Sequence, residues 1–122
     1  MPQTIFLKRA YEKPDPKDGI RILVDRLWPR GLSKDHAEIA VWLKEVAPSS
    51  ALREWYGHDP EKFQEFNQKY TTELSDGFAH ESFIKLRKLA QDAPITLVFA
   101  ARDVEHAHVQ LLKKLLENNA EI

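Results

Sequence analysis

Apolar runs and apolar stripes alternate along the chain, and each predicts an element. Residues 3–11 (QTIFLKRAY) are rich enough in β-forming side chains for a first strand. Residues 20–24 (IRILV) form a compact apolar run bounded by Gly19 and by Trp28-Pro29-Arg30-Gly31, the mark of a buried strand. Residues 95–100 (ITLVFA) are apolar throughout and predict a strand covered on both faces. Between the first two runs, residues 12–19 (EKPDPKDG) hold two prolines, a glycine and no apolar side chain, so they read as a loop. That loop is long for a hairpin and short for a parallel crossover, which leaves the relative direction of the two strands open.

The middle of the chain reads as helical. Ser33 is placed to cap a short turn over residues 34–38, and Ser49 a short helix carrying Leu52, Trp55 and Tyr56. Asp59, Pro60 and Glu61 make a strong start signal: a capping carboxylate, a proline at the first helical position, then an acid in the first turn. Phe63, Phe66, Tyr70 and Leu74 follow as one inward stripe, and Gly77 marks its end. A helix over residues 80–91 turns Phe83, Leu86 and Ala90 inward before Pro94 closes it. Asp103 then predicts the cap of a last helix, with Val104, Ala107, His108, Leu111, Leu112, Leu115 and Leu116 on one face. Strands flanking a helical block predict an α/β fold. The expectation is a single domain over residues 1–122, with a small, largely parallel sheet of three or four strands packed by helices.

Composition narrows the function more than the fold. The 122 residues are 43% hydrophobic and 30% charged, a globular balance that excludes a disordered or low-complexity chain. With no cysteine there is no disulfide scaffold, zinc ribbon, iron–sulfur site or thiol nucleophile. The net charge of −1 gives no bulk attraction to nucleic acid or anionic lipid. The longest near-apolar run, residues 95–101, is too short to span a bilayer, and the N-terminus lacks a basic-then-apolar signal. A cytoplasmic protein with no membrane partner is the expectation.

Charge is unevenly placed. Residues 20–34 carry Arg21, Arg26, Arg30 and Lys34 against Asp25 alone, a local excess of +3. Residues 59–81 carry six acids against Lys62 and Lys69, an excess of −4. The Lys85-Leu86-Arg87-Lys88 run has acids interleaved around it, so it reads as a solvated helix face, and a nucleic-acid partner is disfavoured.

Candidate chemistry gathers at two strand exits, Val24 to Gly31 and Ala101 to Asp103. Were the strands parallel, both exits would open on the same sheet edge, where ligands of open α/β sheets bind. Arg26 and Arg30 suit a phosphate or carboxylate through paired hydrogen bonds, and Trp28 can pack on a ring or exclude water. The structural alternative makes Asp25 the ion-pair partner of an arginine, Trp28 core and the rest a turn. His108 lies on the apolar stripe, so it reads either as a core histidine bound to a carbonyl or as a general base. Burial and the helix start both predict that it is neutral at pH 7. His106 points off the stripe and, with His36, His58 and His80, reads as solvated surface. No HExxH, EF-hand, GxGxxG, Walker lysine or GxSxG pattern is present, so neither metal nor cofactor is called for.

These residues also carry a resemblance. Lys8-Arg9-Ala10-Tyr11 and the block from Gly19 to Gly31, with its LVDRLWPRG core, resemble the YeaO-like branch of domain-of-unknown-function family 488. Further along, Trp42, Lys44, Ala47-Pro48-Ser49, Leu52-Arg53, Phe66, Tyr70, Glu73-Leu74 and Thr96-Leu97 extend the match over nearly the whole chain. The resemblance implies a small bacterial or archaeal cytoplasmic α/β protein and brings no activity with it. One position departs: where the family pattern near the last helix is Asn-His-Ala, this chain has Ala107-His108-Val109. The histidine is kept and the amide is lost.

Two functions follow as expectations. In the first, a crevice at the strand ends binds a small anionic ligand. Arg9, Arg26, Trp28, Arg30 and Asp103 would be its binding residues, and Asp25 and His108 its acid–base pair if the ligand is turned over. In the second, Trp28, Trp55 and the arginines form an exposed patch for a protein or nucleic-acid partner, without catalysis. Convergence of segments 25–30 and 102–108 on one concave pocket would favour the first.

Overall fold

The computed structural model describes residues 4–119. β1 (Ile5–Arg9), β2 (Ile20–Leu23), β3 (Val41–Trp42) and β4 (Ile95–Phe99) form one fully parallel sheet in the order β1-β4-β2-β3. The first two strands therefore run the same way without touching, because β4 lies between them. The most uniformly apolar run becomes one of the two interior strands, and all five of its residues are buried. β3 escaped the sequence pattern because two residues, Val41 and Trp42 beside Ile22 and Leu23, are too few to show a period.

The helices are α1 (Lys34–Ala37), α2 (Ser50–Tyr56), α3 (Phe63–Leu74), α4 (Gly77–Asp92) and α5 (His108–Glu117). Ser33 and Ser49 cap α1 and α2 as expected, their hydroxyls accepting from the His36 and Leu52 amides. Asp59 accepts from the Glu61 amide and opens a 3-10 turn that leads into α3. Alternation along the strands sends Ile5, Ile22, Val24, Ile95, Leu97 and Phe99 to one face, where Phe66, Tyr70, Leu74, Phe83, Leu86 and Leu112 meet them. Leu23 and Val98 point to the other face, under Trp28, Leu32, Ile39 and Trp42. That second face is roofed by the 24–43 segment rather than by a long helix.

Two helix boundaries differ from expectation. Gly77 does not end α3; the chain reverses at Ser75 and Asp76, and Gly77, with φ of +62°, is the first residue of α4. α5 begins at His108, with Ala107 as its cap, a turn later than Asp103 suggested. The Asp103 carboxylate is spent on His106, accepting from its amide (3.3 Å) and meeting its ring Nδ1 (2.9 Å). It caps the turn before the helix.

The loop of residues 12–19 is bound onto the second face by charge. Asp18 accepts from Lys8 Nζ (2.9 Å) on β1 and Arg21 Nη1 (2.7 Å) on β2, and Thr96 Oγ1 donates to its carbonyl. Arg21 Nε reaches the Ala37 carbonyl at 3.0 Å, tying α1 into the same cluster. Gly19 then enters β2 with φ of +67°, and a Cβ there would overlap the Pro94 carbonyl, the acceptor of the Ile20 amide. Only glycine lets β2 begin against β4 at this point.

Candidate functional site

Parallel strands bring the two exits side by side. Val24 donates its amide to Val98 at 3.1 Å, and one residue later Asp25 turns its carboxylate across the gap. Asp25 Oδ2 accepts from the Ala100 amide at 2.9 Å, and Oδ1 lies 3.4 Å from His108 Nε2. His108, the first residue of α5, also reaches the Val24 carbonyl with Nε2 at 3.0 Å. A carbonyl can only accept, so Nε2 carries the ring proton and Nδ1 holds the free lone pair. Burial lowers the His108 pKa, although the Asp25 charge and the Val24 carbonyl act against it. Burial raises the Asp25 pKa, opposed by His108, the Ala100 amide and Arg53. The pair is thus an oriented imidazole of depressed basicity held by a carboxylate. The arginine–Asp25 ion pair of the structural alternative is not formed.

The far wall comes from residues 44–49 and α2. Tyr70, fully buried, donates its hydroxyl to the Val46 carbonyl, and the Ser49 amide and hydroxyl both bond Glu73. Arg26 braces the same loop, donating from Nη2 to Ala47 O (3.0 Å) and from Nε to Pro48 O (3.4 Å), with Glu45 at 3.5 Å. This fixed loop launches α2, which brings Arg53 to the crevice. Arg53 is exposed and its guanidinium makes no hydrogen bond or ion pair with a described residue, yet its charge depresses the pKa of both Asp25 and His108.

The result is a crevice in two parts. An outer chamber of about 440 Å³ lies between the 25–30 segment and Ala47, Ala100, and an inner recess of about 160 Å³ lies among Tyr56, Phe66, Asp103 and His106. Pro48, Arg53, His58, Ala101 and His108 belong to the walls of both. A larger depression of about 670 Å³ runs between α3 and α5, but it holds none of these groups and is lined mostly by amide and lysine side chains, with Phe63, Thr71, Leu111 and Glu117. Chemistry, not volume, marks the strand-end crevice. Among the described residues no group of three or more His, Asp or Glu side chains is placed to hold a metal ion.

The sequence-predicted residues divide. Asp25, Arg26, Trp28, Arg30 and His108 line the outer chamber, and Asp103 the inner recess. Arg9 does not line either part; its Nε and Nη2 donate to the carbonyls of Ala101 and Ala100, both at 3.1 Å, and so hold the β4 exit in place. Trp28 is fixed, donating from Nε1 to Leu32 O (2.7 Å) and meeting Trp42 edge-on at 5.5 Å. Arg30 is exposed, and its guanidinium makes no hydrogen bond or ion pair with a described residue. Arg53, His58 and Tyr56 were missed, because no spacing in the sequence ties α2 to the β2 exit. His106 is not solvated surface: it is half-buried, pairs with Asp103, and sits edge-on to Phe63 at 5.2 Å. His80 is likewise partly buried, with Nδ1 at 3.1 Å from the Leu74 carbonyl.

The depressed pKa of His108 has a measurable sign. Just below pH 6.5 the unfolded chain binds a proton that folded His108 resists, so stability should rise with pH through that window and level off above it. Asp25, whose pKa is raised, acts oppositely at lower pH, its contribution falling as pH rises through its folded value. His108→Gln keeps an amide donor for Val24 and should fold within about 1 kcal/mol of wild type. Its urea-unfolding free energy should lose the rise below pH 6.5; an unchanged profile would assign that rise to another group.

Comparison with known proteins places this chain among bacterial relatives. The family model of the inactive DUF488-N3 subclade matches residues 4–121. The chain is 48% identical over 112 residues to the uncharacterised protein Rv3073c of Mycobacterium tuberculosis, covering 92% of each. It is 36% identical over 115 residues to the uncharacterised protein YeaO of Escherichia coli, covering 93% of this chain and 97% of that one. No solved structure matches it.

Proposed function

The chain belongs to the inactive DUF488-N3 subclade, and from that premise we propose that its strand-end crevice binds a small phosphate- or carboxylate-bearing ligand. The observation that carries the reading is the pair Arg53 and Arg30. Both guanidiniums reach a concave site without being committed to any described residue, whereas Arg9, Arg21 and Arg26 are all engaged. Beside them α5 begins at His108, and its N-cap Ala107 has no side chain to cap the helix, so the positive end of the helix adds to the same field.

Binding without turnover fits the subclade's designation as inactive. If a ligand is turned over, Asp25 and His108 are the pair to do it. Val24 and Asp25 hold the imidazole by Nε2, which leaves Nδ1 as the base. The alternative of a flat aromatic–arginine interaction patch is less favoured, because Trp28 lies half-buried against Trp42 and segments 25–30 and 101–108 converge on one concavity. No helix among the described residues is long and apolar enough to cross a membrane, and the proposed setting is the bacterial cytoplasm.

The test is a thermal-shift titration with inorganic phosphate and with a simple carboxylate, on wild type and Arg30→Ala. A ligand at 100 times its Kd stabilises the fold by about 2.7 kcal/mol, a readily measured shift. Arg30→Ala should keep its intrinsic stability within about 0.5 kcal/mol and lose most of the ligand-induced shift. Destabilisation by several kcal/mol would make Arg30 structural and remove it from the site.

A further inference from the structure

Anion binding leaves one part of the crevice unexplained. The outer chamber, at about 440 Å³, lies in the size range of sites for small organic molecules, well beyond what phosphate alone fills. Its wall is mixed in a directional way. Arg53, His108 and Pro48 stand at the neck shared with the inner recess, while Leu27, Trp28, Pro29 and Ala47 give the outer chamber an apolar surface beside Asp25, Arg26 and Arg30. Leu27 is 69% exposed at this mouth, one of four large hydrophobic side chains left open among the described residues. An exposed leucine at the rim of a cleft has little to gain in the free protein and buries apolar area when something lies over it.

The apolar wall is also rigid. Pro29 and Pro48 are buried, and the Trp28 ring is locked by its bond to Leu32 and its edge contact with Trp42. Asp25 is pinned by Ala100, and the 47–48 backbone by Arg26. A preformed wall of this kind binds a rigid body at lower entropic cost than a flexible chain, which would lose rotor freedom on contact.

Resting on the anion reading above, we infer that the ligand is bipartite, a ring-bearing organic monophosphate. Its phosphate sits at the neck against Arg53, and its ring lies outward over Leu27 and the Trp28–Pro29 wall. The neck supplies the charge–charge attraction, and the outer wall supplies the selectivity for an organic ester over free phosphate.

The experiment compares inorganic phosphate, phenyl phosphate and phenol by NMR titration of the full chain, following the Trp28 Nε1–H and the Ala100 and Ala101 amides. Phenyl phosphate should bind at least tenfold tighter than inorganic phosphate, and Leu27→Ser should bring the ratio of the two affinities close to one. Equal affinities in wild type overturn this inference and leave the anion reading standing. A tenfold ratio that survives Leu27→Ser also overturns it, since the ring then lies elsewhere. Phenol binding as tightly as phenyl phosphate, or no binding of any probe, defeats the anion reading itself.

Discussion

Asp18→Ala is expected to lower the unfolding free energy by about 3–5 kcal/mol, the cost of removing one partner from a buried charge cluster. Asp18 is the anion between two cations: Lys8 Nζ lies 2.9 Å away and Arg21 Nη1 2.7 Å away. The consequences for the two differ. Lys8 keeps 22% of its side-chain surface and a second acceptor, the Lys13 carbonyl, so it can turn to solvent. Arg21 keeps only 5%, and its Nη2 has no partner in the intact cluster. Without Asp18 it would retain the Ala37 carbonyl alone, with most of a guanidinium charge uncompensated. The variant also loses the acceptor of the Asp15 amide, which closes the turn before β2.

Asp18→Asn separates charge from shape, and should fall between wild type and alanine. The pH dependence gives an independent check. Burial opposes ionisation of Asp18, but Lys8, the Asp15 amide and Arg21 outweigh it and hold the carboxyl below its usual range. A depressed folded value means stability that is present above about pH 4 and lost as pH falls through the folded pKa; Asp18→Asn should flatten that acid limb. Urea unfolding with an unchanged m value is the measurement, and a loss under 1 kcal/mol in the alanine variant would show that the cluster holds nothing in place. The cluster lies where β2 begins, at the opposite end of the sheet from the crevice, so folded variant should still bind phosphate.

Asp18 also explains why the charge pattern pointed to the right place for partly wrong reasons. The +3 excess over residues 20–34 counted Arg21 and Arg26 as available, but a sequence window cannot see the buried carboxylate at position 18 or the Ala47 and Pro48 carbonyls that engage them. Of the arginines in that window only Arg30 stays uncommitted, and the other uncommitted guanidinium lining the crevice, Arg53, comes from a helix twenty-three residues further on. His108 was legible because the apolar period fixes which way a helical side chain faces, and a parallel sheet leaves Val24 and Asp25 opposite it. The start of α5 was not, since a carboxylate that caps a turn and one that caps a helix have the same sequence signature. The strand order was not legible either: placing β4 between β1 and β2 depends on pairings across seventy residues and more, which no local pattern encodes.

Arg53→Ala and Arg26→Ala should separate ligand binding from folding within one site, and the former should weaken phosphate binding tenfold or more. A charge-assisted hydrogen bond contributes about 1.5–3 kcal/mol, and Arg53 has its donors free to make one. Because it is exposed and its guanidinium bonds no described residue, its loss should change stability by no more than about 0.5 kcal/mol. Arg26→Ala should do the reverse. It removes the donors that hold the Ala47 and Pro48 carbonyls, at about 1–3 kcal/mol of stability, and reaches the ligand only through the loosened wall. A third readout does not depend on any ligand. The Arg53 charge depresses the pKa of His108 and of Asp25, so Arg53→Ala should move the NMR titration midpoint of the His108 ring upward at low salt, toward 6.5. Arg26 is not among the groups that shift His108, and its removal should leave that midpoint in place. Calorimetry with inorganic phosphate, urea unfolding and the histidine titration together decide the assignment. If Arg53→Ala binds phosphate as wild type does while the His108 midpoint still moves, Arg53 faces the crevice but is not its clamp, and Arg30 alone carries the anion.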